Sequence, residues 1–551
     1  MKHILRLLAC ASLTLNSYLL TLNCQELPQG YFRNPLDINI GLSATFAEFR
    51  TGHFHAGLDM RTDGVIGKPI HAAADGYVCG VRISPWGGGK MLYVKHPNGY
   101  TSVYMHLNDY AGEIGRYVRN EQYKEQAYAI VRDIPEGVLP VRKGQVIAYS
   151  GNSGSSGGPH LHFELRHNGR TINPLLFGLP YTDNLKPVIR GIRLYPTTGQ
   201  PIDVAKQDVI DIAGPFHLGI YATDAAEGST AKNGIDHVGV FVDGMLIFKY
   251  ITTGFPLDSS RISNALIDYP HYLRTREAYL LTRSLPGARG EWIPICQNNG
   301  ILHFTEGSTH SIRVRVSDIK GNYAERTFQV KSTAAPAHPS APLNERNTYF
   351  FEYKRPLKIN GERLKILFPA LTLYDNDRMH ILTTASNIYR SPVCTVEPCT
   401  SNLPPHLWYT LSIKATNPSE KAVIVRIDGK RLTAYKTTRE GDWYTASVRD
   451  WGQFAITIDN EAPHISPINF REGKNLKTST LKLKISDNLS GIETYNCYLN
   501  GKWILAEYDG KTASLTIDAS ETIKGGTNKL RVTVVDAAGN VADVTYIIRK
   551  T

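Results

Sequence analysis

The sequence predicts an all-β chain, an antiparallel β-sheet domain followed by three β-sandwich modules. Three observations carry that expectation. Residues 25–184 hold short β-type runs, aromatics and many glycines. From about residue 186 the strands are short, polar-alternating and separated by Asp-x-x-Gly-Asn or Asn-Gly turns. An internal repeat then closes the argument. Ile312–Ala324 (IRVRVSDIKGNYA) matches Leu530–Ala542 (LRVTVVDAAGNVA), and Gly234–Ile247 parallels Gly491–Ile504. Two related Ig-like units therefore flank a middle one.

Length and composition agree. At roughly 100–200 residues per domain, 551 residues are too many for one core. With 42% hydrophobic and 20% charged residues the chain should fold rather than stay disordered. Lys+Arg number 61 against 50 Asp+Glu, a formal charge of +11, which suits an anionic partner such as a wall polymer or membrane surface. No Lys/Arg run or nucleic-acid motif stands out, so nucleic acid is not expected. The only long apolar stretch is at the N-terminus, so no transmembrane span is expected.

The elements follow in order. Residues 1–24 (MKHILRLLACASLTLNSYLLTLNC) read as a signal peptide, with Lys2 and Arg6 before an apolar run, and predict export to the periplasm. A lipid anchor on Cys24 is the lesser reading, because Asn23 stands where a small residue is expected. Domain one spans 25–184. In it MLYVKHPNGYTSVYMHL reads as a hairpin, with Asn98-Gly99 as a positive-φ pair for a tight turn. Residues 109–140 are polar and helix-tolerant and look like an insertion able to reshape a groove. QVIAYSGNSGSSGGPHLHFELRHNGR reads as strand, glycine loop, strand and turn. The modules are expected at 186–333, 346–459 and 462–551, divided by Pro-rich linkers near 331–345 and 460–467. Gly and Asn in their turns read as sharp hairpins, not as binding positions. Beyond the leader, Cys394 and Cys399 are near enough in sequence to bridge in an oxidising space, and no thiol zinc site is expected.

Four histidines and one carboxylate carry the chemistry. His55 and Asp59 stand in HFHAGLD, His106 ends SVYMHL, and His160 and His162 form HLH. In a strand, residues at i and i+2 share a face, so His160 and His162 point together and Leu161 turns to the core. The run SGNSGSSGGP before them reads as too flexible for core and able to wrap a cleft. A catalytic zinc takes three protein ligands and leaves one position for water, whose pKa falls from 15.7 towards about 7. His55, Asp59 and one histidine of HLH would fill that set, with Gly57 letting the backbone bend. The remaining two histidines would position water, take its proton and stabilise an oxyanion.

These residues make the segment resemble the M23 (LytM/lysostaphin-type) zinc metallopeptidases, whose signature is H-x-x-x-D, a later strand-end histidine, then H-x-H. The resemblance covers about residues 40–180 and extends to AAADGYV and VRKGQVIAYS. The lead-in NPLDINIGLSATFAEFR is similar to that of exported Bacteroidota members. The resemblance implies zinc on His55, Asp59 and His162, catalysis by His106 and His160, and peptidoglycan as the substrate of an endopeptidase. The alternatives are a secreted peptidase acting on proteins and a non-enzymatic wall-binding or amidase-activating protein. The C-terminal modules offer a surface for a protein partner.

Blander readings go to the neighbours. His53 competes with His55 but lacks the four-residue step to Asp59 and is expected at the cleft edge. Asp63 reads as a turn residue, His71 and His96 as surface or hydrogen-bonded histidines, and Cys79 as a buried small hydrophobe. Tyr104, on the strand of His106, is either a donor to substrate or a packed aromatic.

Overall fold

The computed structural model describes residues 27–204, 209–225, 232–334 and 347–550. The expected leader and most of the first linker lie outside those residues. The first domain is built on one sheet. In chain order its main strands are β1 (Leu42–Ala44), β2 (Leu58–Arg61), β3 (Gly76–Ile83), β4 (Lys90–Lys95), β5 (Thr101–Met105), β6 (Val131–Asp133) and β7 (His160–His167). In space they run β1-β2-β7-β5-β4-β3-β6, every pair antiparallel.

Strand β7 lies between β2 and β5, and its alternation organises the domain. Leu161, Phe163 and Leu165 are fully buried on the core face. His160, His162, Glu164 and Arg166 occupy the other face. Strand β4 alternates in the same way, with Leu92 and Val94 fully buried.

Two local expectations change. Of the Asn98-Gly99 pair only Gly99 takes positive φ (87°), and His96 N donates to Tyr100 O at 2.9 Å, so a wider loop replaces the tight turn. Residues 109–140 do hold a helix, α1 (Gly112–Glu125), which buries Ile114, Val118 and Gln122 on one side. Residues 131–133 then pair with β3 as strand β6. The segment thereby extends the sheet edge. Cys79 lies at a register shift between β3 and β4 and is half-buried, where a fully buried residue was expected.

The rest of the described chain is sandwiched sheets. Residues 188–333 form a four-stranded and a six-stranded sheet, residues 348–458 a six- and a five-stranded sheet, and residues 464–550 two four-stranded sheets. The sequence repeat is also a structural one. His237–Val242 pairs with Thr309–Ser317, as Ile492–Leu499 pairs with Gly526–Asp536. The middle unit has its own core, whereas one continuous apolar cluster runs from Phe32 through the first sandwich to Ile548 of the last. Cys394 and Cys399 are both free. Strand Val393–Pro398 is extended, which keeps them about 16 Å apart. No helix among the described residues is long and apolar enough to cross a membrane.

Candidate metal centre

Strand pairing assembles the site. The β2–β7 register sets Asp59 opposite His162, and β5 flanks β7 on the other side with Met105 opposite His162. His55 enters from the segment before β2. Three atoms converge: His55 Nε2 to Asp59 Oδ1 is 3.0 Å, His55 Nε2 to His162 Nδ1 is 2.9 Å, and His162 Nδ1 to Asp59 Oδ1 is 2.8 Å. All three residues are buried.

The hydrogen bonds behind these atoms decide what they offer. His55 Nδ1 faces the carbonyl of Thr45 at 2.6 Å, which can only accept, so the ring proton sits on Nδ1. His162 Nε2 donates to Glu164 Oε1 at 2.9 Å. Each imidazole therefore turns a lone pair to the same point as the Asp59 oxygen. Three acceptors with no proton between them repel unless a cation sits among them. A tetrahedral zinc with bonds of 2.0–2.2 Å sets its ligands about 3.3 Å apart, close to the spacing here. The residues fit the ion.

Outer contacts hold the set. Asp59 Oδ2 accepts from Arg50 Nη2 at 2.6 Å. Glu164, only 1% exposed, also accepts from Arg166. Burial pulls His162 down, yet its bonds to Asp59 and Glu164 outweigh that and lift it to about 9, so a proton competes with a cation for Nδ1.

His106 and His160 stand beside the triad, with ring centroids 4.8 Å apart. His106 lies one residue past β5 with φ of 61°, which turns it off the strand alternation. Its Nδ1 donates to Ser153 O at 2.9 Å, and that of His160 donates to Gly158 O at 2.9 Å. Both Nε2 atoms are left as acceptors, that of His160 standing 3.4 Å from Asp59 Oδ1. Burial first, then the charges of His160 and His162, hold His106 down to about 3.

The five residues picked out from the sequence thus come together. Gly57 matters for a different reason from the one expected. It is not a bend but a close approach, since a Cβ there would lie 2.4 Å from Phe163 O and 2.9 Å from His162 Nε2. The glycine loop is pinned where flexibility was expected. Ser150, Gly151, Gly154 and Ser156 are buried, and Ser155 N donates to Gly87 O at 2.8 Å. The last sandwich braces the same rim. Lys511 Nζ donates to Asn152 O and, at 3.2 Å, to Ser156 O, and Glu507 pairs with Lys90 at 2.9 Å.

The neighbours resolve individually. His53 is exposed on a two-residue strand. Asp63 sits in a turn (φ 56°) and pairs with Lys68. His71 donates from Nδ1 to Gly144 O, and His96 bonds Asp75 O and Ser102. Tyr104 is fully buried, its hydroxyl taken by Ala73 N and Ser102, so it is a packed aromatic. Sequence reasoning missed Thr45, Arg50 and Glu164. Glu164 alone had a signal there, continuing the His160, His162 alternation.

Comparison with known proteins agrees with this geometry. Peptidase family M23 matches residues 53–123 and 134–174, and a Zu5-like domain matches 348–459. Only 124–133 of the expected insertion falls outside the M23 match. An "Uncharacterized metalloprotease" of Haemophilus influenzae is 34% identical over 166 residues, 29% of this chain and 30% of its own. "Peptidoglycan DD-endopeptidase ShyA" of Vibrio cholerae is 27% identical over 169 residues, 30% of this chain and 33% of its own. This chain thus spans about a third of those relatives' length. "Lipoprotein NlpD" of Yersinia enterocolitica is 33% identical over 111 residues, 20% of this chain but 90% of its own. With that coverage and the family match over the metal centre, this chain belongs to peptidase family M23.

Proposed function

We propose that this chain is an exported zinc endopeptidase that hydrolyses peptide cross-links or stems of peptidoglycan. The observation that carries the reading is the convergence of His55 Nε2, Asp59 Oδ1 and His162 Nδ1, with both ring protons held elsewhere. Those three residues would hold zinc, which supplies Lewis acidity and a water of lowered pKa when bound.

This chain's own residues do the rest. His106 and His160 each anchor Nδ1–H on a backbone carbonyl, so each presents Nε2 to the cleft. One takes the proton of the attacking water and delivers it to the leaving amide nitrogen. The other, once protonated, donates to the oxygen on which negative charge develops. Burial keeps His106 neutral at physiological pH, ready to accept. The cell-wall substrate is supported by the relative named a peptidoglycan endopeptidase and by the formal charge of +11, which suits an anionic sacculus. The leader read in residues 1–24 would deliver the chain to the periplasm.

The test is digestion of purified sacculi by the zinc-loaded protein, with released muropeptides identified by mass spectrometry. New peptide ends are expected. His106→Ala and His160→Ala should keep zinc and lose release. Cutting of a protein panel with sacculi untouched would move the substrate to proteins, and binding to sacculi without release would remove the enzyme reading.

A further inference from the structure

The two repeated sandwiches carry a second kind of site. In the first, carboxylate oxygens of Asp183, Asp224 and Asp318 lie within 4.8 Å of one another, and all three residues are buried. In the last, those of Asp459, Asp487 and Asp536 also lie within 4.8 Å of one another, with Asp459 and Asp536 buried and Asp487 partly buried. The two sets occupy matching places in the repeat. Asp183 and Asp459 lie just before the first strand of each sandwich, Val188–Pro196 and His464–Pro467. Asp224 and Asp487 directly follow strands Phe216–Thr223 and Thr480–Ser486. Asp318 and Asp536 open the two Asp-x-x-Gly-Asn turns. Even the turn asparagines match. Asn322 Nδ2 donates to Asp183 O and Asp318 Oδ2, and Asn540 Nδ2 to Asp459 O and Asp536 Oδ2.

Acidic residues at turns often cap backbone amides and need no ion, and several oxygens here do so. Asp183 accepts from Tyr181 and Leu185 N, Asp318 from Lys320 N and Asn322 N, and Asp487 Oδ2 from Leu489 N and Gly491 N. One oxygen in each set does not fit that account. Asp224 is only 6% exposed, and its Oδ1 is buried with no partner; Asp487 Oδ1 is likewise buried and unpartnered. Asn233, which bridges to Asp224 through the backbone, is 2% exposed with both amide atoms unpartnered. A buried carboxylate oxygen without a donor is costly, and more so beside two other carboxylates.

We propose that each flanking sandwich binds a calcium ion, on Asp183, Asp224 and Asp318 in the first and on Asp459, Asp487 and Asp536 in the last. The donors are all oxygen, which disfavours zinc and selects a hard cation. Calcium accepts 6–8 oxygens in irregular geometry, so carboxylates from three separate segments with amide, carbonyl and water oxygens suit it. Magnesium demands a near-ideal octahedron and keeps its waters. Each ion would tie the segment entering a sandwich to two of that sandwich's turns. One stiffens the joint after the peptidase domain, the other the joint after the middle unit.

Equilibrium dialysis of the full chain against calcium, with zinc content measured in parallel, tests this. Two calcium ions per chain are expected. Asp224→Asn and Asp487→Asn, which keep the side-chain shape, should each lose one, the double variant both, and zinc should be unchanged. Calcium should also protect the joints near 178–187 and 459–463 from limited proteolysis. Terbium luminescence sensitised by Tyr181, and its loss on adding calcium, reads the first site in the unmutated chain if a variant does not fold. No bound calcium at millimolar concentration, a stoichiometry unmoved in folded variants, or magnesium bound at two per chain without competition from calcium would overturn the proposal.

Discussion

The ligand atoms of His55, Asp59 and His162 stand 2.8–3.0 Å apart and are two ring nitrogens and one oxygen, whereas Asp183, Asp224 and Asp318 bring together carboxylate oxygens alone. The first set suits short bonds to a small four-coordinate ion, the second a hard cation that takes oxygen donors. Donor type follows the same split. The peptidase centre mixes nitrogen and oxygen and sets it on strand register, while the sandwiches use oxygen alone at turns. Outer contacts differ most. Thr45 O and Glu164 take the ring protons and so fix which atoms face the ion. The acidic sets need no such steering, because a carboxylate offers lone pairs from either oxygen. A centre that does chemistry has its donors aimed from behind; a centre that stiffens a joint needs only to bring carboxylates together.

The largest effect tests whether the two kinds of centre are independent. His162→Ala should abolish zinc binding and cleavage, well beyond the about 10–100-fold that loss of an outer partner costs. Calcium stoichiometry should stay at that of the unmutated chain. Metal analysis of one sample reads both, and loss of calcium along with zinc would break the comparison. Glu164→Gln comes next. The amide still accepts from His162 Nε2, but the charge is gone and Arg166 loses its partner. Zinc affinity should fall by about 10–100-fold with the protein folded, as read by chelator competition. An unchanged affinity would mean that the ring is aimed by packing alone.

These outer residues also mark where the sequence stops being legible. The H-x-x-x-D and H-x-H spacings could be read because strand alternation and a short segment fix where those side chains point. Strand type, the helix-tolerant stretch over 109–140 and the paired sandwiches were legible for the same reason: periodicity and turn chemistry are local. Arg50 and Thr45 were not, because each reaches the site through pairings set by the folded sheet. The acidic sets lay in plain view as repeated turns, yet they read as hairpins. Only folding brings Asp183 beside Asp318, far apart in the chain. Tyr104 shows the same limit from the other side. The sequence left it as a donor to substrate or a packed aromatic, and the folded sheet decides for the second, with its hydroxyl on Ala73 N and Ser102 in the core.

Glycines sharpen the contrast at a smaller scale. Gly57 is pressed against β7, so Gly57→Ala drives a methyl into Phe163 O and the His162 ring. A cost of about 1–3 kcal/mol and weaker zinc binding are expected. Gly491 donates its N–H to Asp487 at 2.8 Å with φ of 83° and has nothing within reach of an added Cβ. Gly491→Ala should cost only the backbone strain, roughly 1–2 kcal/mol, and leave zinc untouched. Chemical unfolding with zinc titration separates the two. Equal effects on zinc would mean that Gly57 serves the backbone after all.

The smallest effect concerns acid. Burial first, then the Arg283 charge, hold His217 of the first sandwich down to about 3, and burial first, then Arg261, hold His406 of the middle unit down to about 4. His217 lies stacked on Tyr195. An unfolded chain takes the proton near 6.5, the folded one only well below it, so between those values the unfolded state binds more protons. Stability is then full above 6.5 and drains as pH falls towards 3–4. His217→Gln removes one of these groups and should flatten that decline slightly, seen as a smaller drop in Tm between neutral and acid pH. Calcium-loaded and zinc-loaded protein should show the same difference between variant and parent. If the decline instead disappears when either metal is removed, the acid sensitivity belongs to the metal centres and not to these packed histidines.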